Sequence, residues 1–150
     1  MKTISHLLNE KGRDVWSLTP DATVYEAIEL MSQKGVGALL VMEGKRLVGI
    51  ISERDYTRKV ILKGKSSKKG KSSKETRVRE IMCRKVVCAR PEHTAEEAMA
   101  IMTHRRIKHL PVVTDERVLG VISIGDAVRG VIEDREFHIE QLTNYITGCY

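Results

Sequence analysis

Aromatic side chains are scarce in this chain: one Trp, four Tyr and one Phe make up 4% of its 150 residues. Any core must therefore be built from Val, Ile, Leu, Met and Ala. No apolar run approaches the ~20 residues that a membrane span needs. The opening MKTISHLLNEKGRDVW has no continuous apolar stretch and carries acids, so no secretory leader is expected. Cysteine is limited to Cys83, Cys88 and Cys149, with no Cys-x-x-Cys pair. That odd, unpaired set argues against a disulfide framework and for reduced thiols in the cytoplasm, with Cys83 and Cys88 packed. Zinc is not expected either, since His104 and His109 lie off a single helical face and no cysteine pair stands at ligand spacing.

What remains is an ordinary soluble composition, 41% apolar and 31% charged. The length suits one compact domain or two small modules sharing a core. The net charge of +6 is unevenly placed: residues 63–74, KGKSSKKGKSSK, hold six lysines with no acid and no apolar side chain. Such a stretch buries nothing and reads as a flexible linker over 63–76. It separates an N-terminal segment and first module (1–62) from a second module (77–135), with a tail at 136–150. A role for the lysines in binding nucleic acid or an acidic partner is the alternative function. No aromatic is interleaved there for base stacking.

A repeat runs through both modules. GIISERD at Gly49–Asp55 returns as GVISIGD at Gly120–Asp126, and the same offset carries Pro20 onto Pro91, Thr23 onto Thr94, Glu26 onto Glu97 and Met31 onto Met102. No gap is needed from Pro20 to Ile132, and about a third of the aligned positions are identical.

Each copy opens a helix in the same way. Thr23 with Glu26, and Thr94 with Glu97, have capping-box spacing. Val24, Ala27, Ile28 and Met31 then share one helical face, as do Ala95, Ala98, Met99 and Met102. Gly35 and Gly37 end the first helix. Apolar runs at Ala38–Met42 and Leu47–Ile51, and again at Leu110–Val113 and Val118–Ile122, predict paired strands covered on both faces. A second helix starts near Glu53 and near Gly125, and short leading strands are expected at Val15–Leu18 and Val86–Ala89. The class is mixed α/β, two β-α-β-β-α repeats. Units this small are marginal alone, so sheet-to-sheet packing with pseudo-two-fold symmetry is expected.

Ser52-x-x-Asp55 and Ser123-x-x-Asp126 therefore stand where a strand ends and a helix begins, a corner that ligands favour. A carboxylate there can accept both vicinal hydroxyls of a ribose, and a neighbouring serine and helix-start amides suit phosphate. Alternatively, each aspartate only caps the first helical turn.

The paired Gly-x-x-Ser-x-x-Asp, the two Pro-x-x-Thr-x-x-Glu-Ala starts and RRIKHLPVV from Arg105 to Val113 make the chain resemble a tandem pair of cystathionine-β-synthase (CBS) domains, the Bateman module. The likeness covers Val15 to Ile132, and EFHIEQLTNYI from Glu136 is similar to the C-terminal helix of free-standing members. It implies adenine-nucleotide ligands (AMP, ADP, ATP, NAD(H) or S-adenosylmethionine) in clefts between the repeats, with no required cofactor and no metal. It also implies a homodimer through the repeat helices, and regulation of an unknown partner protein in place of catalysis. Residue by residue, Asp55 and Asp126 would take ribose hydroxyls, with Ser52 and Ser123 beside ribose or phosphate. Val36, Gly37 and Ala38, and in the second copy Ile107, Lys108 and His109, would border the base. Lys108, His109 and Arg54 would reach the phosphate of the nucleotide on Asp55. Only uncharged Gly37 and Ala38 would face the other, so the Asp55 site is expected to bind phosphorylated ligand more tightly.

Other residues have plainer readings. His109 is equally a structural histidine, and His6, His93, His104 and His138 are expected on the surface. Trp16 is expected in the core or at a dimer surface, with base stacking as the alternative; Tyr56 and Arg58 are expected to serve dimer packing. No nucleophile–base pair is visible, since Ser123 stands in Ile-Ser-Ile and not in a nucleophile elbow.

Overall fold

The computed structural model describes residues 1–61 and 72–134. Among them are α1 (Ile4–Lys11), β1 (Ser17–Leu18), α2 (Val24–Lys34), β2 (Ala38–Glu43), β3 (Arg46–Ser52), α3 (Glu53–Tyr56), α4 (Val78–Ile81), α5 (Ala95–Arg105), β4 (His109–Thr114), β5 (Arg117–Ser123) and α6 (Ile124–Asp134). A π-helical turn, Thr57–Ile61, prolongs α3. Most of the lysine-rich stretch and the expected C-terminal helix lie outside the described residues.

The repeated helix is built as its spacing predicts. Glu26 N–H donates to Thr23 Oγ1 at 3.1 Å while Thr23 N–H donates to Glu26 Oε2 at 2.9 Å, and Thr94 with Glu97 repeats this box. These bonds satisfy amides that the helix itself leaves orphaned. Val24, Ala27 and Met31 are buried on one face, and Ala95, Ala98 and Met102 on the other copy's. α2 ends at Gly35 in the left-handed region (φ 65°), and α5 ends on the same conformation with Arg106 (φ 55°). Only glycine adopts that conformation without steric cost.

β2 pairs with β1 in parallel and with β3 antiparallel, and β4 pairs with β5. The leading strands are shorter than expected. The first is confined to Ser17–Leu18, and the second shrinks to a single parallel bridge between Ala89 and Val112. The cause is Pro111. Its counterpart Leu40 donates its N–H to Trp16 O at 3.2 Å, a bond proline cannot make.

The described chain groups into two compact units that do not follow the two repeats. Among the described residues, one comprises 14–61 and 72–87 with Asp115–Val118; the other comprises Met1–Arg13, Cys88–Thr114 and 119–134. The N-terminal segment, expected to belong with the first repeat, is thus part of the unit built on the second. Helix α1 buries Ile4, Leu7 and Leu8 and packs on α5 and α6. Glycines make the sockets: a Cβ at Gly120 would stand 2.7 Å from Leu8 Cδ2, and one at Gly130 2.7 Å from Leu7 Cδ2. Ile4 N–H donates to His93 O at 2.8 Å, Ser5 N–H to Pro91 O at 3.0 Å, and Ala95 N–H to Lys2 O at 2.9 Å.

In the other unit α4 does the equivalent work. Val78 N–H donates to Ala22 O, Arg79 N–H to Pro20 O, and Val24 N–H to Thr76 O. Buried Val78, Ile81 and Met82 replace Ile4, Leu7 and Leu8, and a Cβ at Gly49 would stand 2.6 Å from Met82 Sδ. A leading helix therefore completes the repeat that it does not directly precede. Tyr25 N–H also bonds Ser73 O at 2.9 Å, so the end of the stretch read as linker is tied to the start of α2.

Val24, Ala27, Met31, Leu39, Val41, Ile51, Val60, Val78, Ile81 and Met82 form the core of this unit. In the other, Ala98, Met102, Leu110, Val112, Ile122 and Ala127 are buried together with the α1 side chains. Cys83 and Cys88 are exposed, not packed. Their neighbours Met82 and Ala89 point inward instead, and extended backbone sends successive side chains to opposite faces.

Candidate functional site: two capped strand-to-helix corners

Ser52 ends β3 in an extended conformation (φ −125°, ψ 164°) and caps α3. Asp55 N–H donates to Ser52 Oγ at 3.3 Å, while Asp55 Oδ2 accepts from Ser52 N–H at 3.0 Å and from Ser52 Oγ at 3.1 Å. The second corner repeats the exchange. Asp126 N–H donates to Ser123 Oγ at 3.2 Å, and Ser123 N–H to Asp126 Oδ2 at 2.8 Å. Both aspartates therefore do cap their helices, and each does so with one carboxylate oxygen.

A second tie closes each corner onto the neighbouring strand. Glu53 N–H donates to Gly37 O at 3.0 Å, and Ile124 N–H to Lys108 O at 2.9 Å. Val36, Gly37 and Ala38 are thereby brought beside Ser52, Arg54 and Asp55, with Ala38 opposite Ser52 in the β2–β3 register. In the other unit the Ile124–Lys108 bond brings Ile107, Lys108 and His109 to the Ser123 end of the corner. All eleven residues singled out from the sequence thus fall at one corner or the other. Arg54 and Lys108 are exposed, while Val36, Ile107 and His109 are half-buried.

Three cations at these corners were not anticipated. Lys59 Nζ lies 3.3 Å from Asp55 Oδ1 and donates to Ile81 O at 2.8 Å. Arg129 Nη1 lies 3.6 Å from Asp126 Oδ1. Both stand one helical turn after their aspartate, and that spacing in the sequence could have exposed them. The third, Lys11, donates to Asp126 Oδ2 at 2.7 Å and to Val121 O at 3.0 Å. No local pattern betrays it, because it comes from α1, at the far end of the chain.

The corners differ in burial and charge. Asp126 is 8% exposed, whereas Asp55 is half-buried. Burial by itself pushes the Asp126 carboxyl up, but Lys11 and the Ser123 backbone N–H outweigh it and hold the group below its ordinary value. Arg54, Arg58 and Lys59 follow Ser52, where Gly125, Arg129 and Gly130 follow Ser123. Among the described residues no group of three His, Cys, Asp or Glu could hold a metal ion, and no helix is long and apolar enough to cross a membrane.

Two aromatics find partners within their own unit. Tyr56 packs against the core of its own unit and accepts a hydrogen bond from Ser73 Oγ at 3.1 Å. Trp16 is 37% exposed, with the Lys34 ammonium 4.2 Å from its ring centroid.

Known proteins share this architecture. The chain is 41% identical to a mitochondrial CBS domain-containing protein of Arabidopsis thaliana, over 99% of this chain and 73% of the relative. A solved structure of a CBS-domain protein from Burkholderia ambifaria is 45% identical, with a TM-score of 0.82 over 92% of this chain and 99% of that one. A CBS domain protein from Pyrobaculum aerophilum, solved in complex with AMP, is 25% identical, with a TM-score of 0.69 over 83% of this chain and 88% of its own. The CBS domain model matches twice, at residues 11–61 and 78–133, each match ending just beyond a Ser-x-x-Asp corner. The chain belongs to the CBS domain family and carries a pair of these domains.

Proposed function

We propose that this protein is a non-catalytic regulatory module that binds an adenine nucleotide at its Ser-x-x-Asp corners and modulates a partner protein. One observation carries the reading. The same corner is built twice, and in both copies only one carboxylate oxygen is spent on the cap, while the other faces an exposed basic side chain. At the first corner that oxygen is Asp55 Oδ1. A ribose hydroxyl pair would donate to it and release Lys59, which with Arg54 and Arg58 supplies positive charge for phosphate. Ser52 would stand beside the sugar, and the backbone of Val36, Gly37 and Ala38 would border the base. The AMP complex of the Pyrobaculum relative supports adenosine as the ligand class.

Regulation then needs only a difference in ligand affinity between two states of the module. Association of two copies through the repeat helices belongs to the same reading. It is supported by an open groove on α5 and α6, lined by Met99, Ala100, Thr103 and Val131, with Val128 38% exposed. Residence in the cytoplasm is also part of it, and imaging of a tagged chain tests it.

The test of ligand binding is a thermal-shift panel of AMP, ADP, ATP, NADH and S-adenosylmethionine, followed by calorimetry. A ligand that binds the native state alone raises the melting temperature. At least one adenosine compound should do so, and Asp55→Ala should weaken it by about 100-fold, as expected for losing two hydrogen bonds to a charged group. Unchanged affinity in Asp55→Ala, or no shift with any adenylate, defeats the proposal.

A further inference from the structure

We infer that Lys11 is a specificity-determining residue of the second corner: it holds Asp126 closed to a ribose, so that the chain takes one adenosine ligand, on Asp55, for as long as α1 stays docked. The inference rests on the proposed function for its ligand class; its geometry stands independently.

Asp126 Oδ2 already accepts from Ser123 N–H and from the Lys11 ammonium, while Arg129 stands at Oδ1. A neutral hydroxyl pair would have to displace an ammonium from a largely buried carboxylate. A hydroxyl bond to a carboxylate is charge-assisted too, but this exchange would also separate an ion pair at a largely buried carboxylate, so it runs uphill. At the first corner the cation on Asp55 comes from the aspartate's own helix, at a longer 3.3 Å, and both partners are more exposed.

Each lysine also donates to a backbone carbonyl, Lys11 to Val121 O and Lys59 to Ile81 O, but of the two only Lys11 ends a helix held by Leu7 and Leu8 in the Gly130 and Gly120 sockets. Lys2 fastens the start of that helix to Glu10 and Glu133, and its backbone N–H donates to Asp134. The contrast with the first unit shows why only one corner is treated in this way. There α4 is a single turn, and Met82 then turns extended (φ −62°, ψ 153°). The backbone of Cys83 consequently bridges Ile50, the counterpart of Val121, with bonds of 2.9 and 3.0 Å. The longer α1 stays helical, and it delivers a side-chain ammonium to the place where α4 is followed by a peptide.

Opening the second corner therefore requires either removal of the Lys11 charge or release of α1. Lys11→Met keeps the length of the side chain and its apolar stem, and Lys11→Arg keeps the charge. Without ligand, the Asp126 carboxyl followed by carbon-13 NMR should titrate at higher pH in Lys11→Met than in the wild type, and Lys11→Arg should restore the low value. An unchanged Asp126 titration in Lys11→Met overturns the inference. By calorimetry with AMP, the wild type should bind one equivalent, lost in Asp55→Ala. Lys11→Met should bind two, the second lost in the Lys11→Met/Asp126→Ala double variant. One equivalent in both proteins overturns the inference and leaves the proposed function intact. Two equivalents in the wild type, reduced to one by Asp126→Ala, overturn it as well. No binding by any of the proteins defeats the parent reading and this one together.

Discussion

The two corners share the Ser-x-x-Asp spacing, the capping exchange and the tie to the neighbouring strand, yet they are electrostatically unlike. Asp55 is half-buried and, among the described residues, is paired with Lys59 from its own helix. Asp126 is buried and held by two cations, one of them from α1. Duplication copied the capping exchange because every bond in it spans three residues. It did not copy the surroundings, because these are supplied by leading helices of different length. The lesson is that equal motifs within one chain need not be equal sites.

The comparison breaks most severely if a leading helix loses its anchor. Leu8→Ala should cost about 2–5 kcal/mol, the range for emptying a tightly filled aliphatic site, and it should increase hydrogen exchange throughout α1. Met82→Ala should cost a similar amount while protecting α1 fully. Equal exchange in α1 for the two variants would show that the units are not completed independently.

A smaller effect sharpens the charge difference. Because the folded-state value of Asp126 is lowered, its pairing stabilises the protein above the ordinary carboxylate range and is lost as pH falls through that lowered value. Lys11→Met should therefore begin to unfold at higher pH than the wild type on acid titration. At neutral pH the difference should be less pronounced than for Leu8→Ala, since Lys11 is itself 40% exposed and solvent screens the pair. Coincident acid transitions for the two proteins would contradict the role of the pair. The smallest effect concerns helix ends. Arg106→Gly places the residue best suited to the left-handed region where Gly35 already stands in the first copy, and should raise stability by about 1 kcal/mol. A lower melting temperature would mean that the arginine side chain contributes more than its backbone strain costs.

Much of the fold was legible in the sequence because it is local. Thr23 with Glu26 marks a helix start, the i, i+3, i+7 apolar spacing marks its buried face, and Ser52 with Asp55 marks a strand-to-helix corner. The failures are also instructive. The second leading strand was overestimated because Pro111 removes a donor that Leu40 supplies. The leading-helix repeat escaped notice because Ile4, Leu7 and Leu8 match Val78, Ile81 and Met82 in shape but not in identity. Lys59 and Arg129 were findable at one-turn spacing, whereas Lys11 was not.

By itself, then, the sequence determined the two-fold repeat, the helix caps, the paired strands and the capping exchange of each Ser-x-x-Asp corner, all through patterns and interactions close together in the chain. Only the tertiary structure decided which leading helix completes which repeat, and hence that Lys11 rests on Asp126. The physical reason is that burial is indifferent to chain order. Leu7 and Leu8 go where glycine sockets admit them, and the charge that ends their helix is carried along.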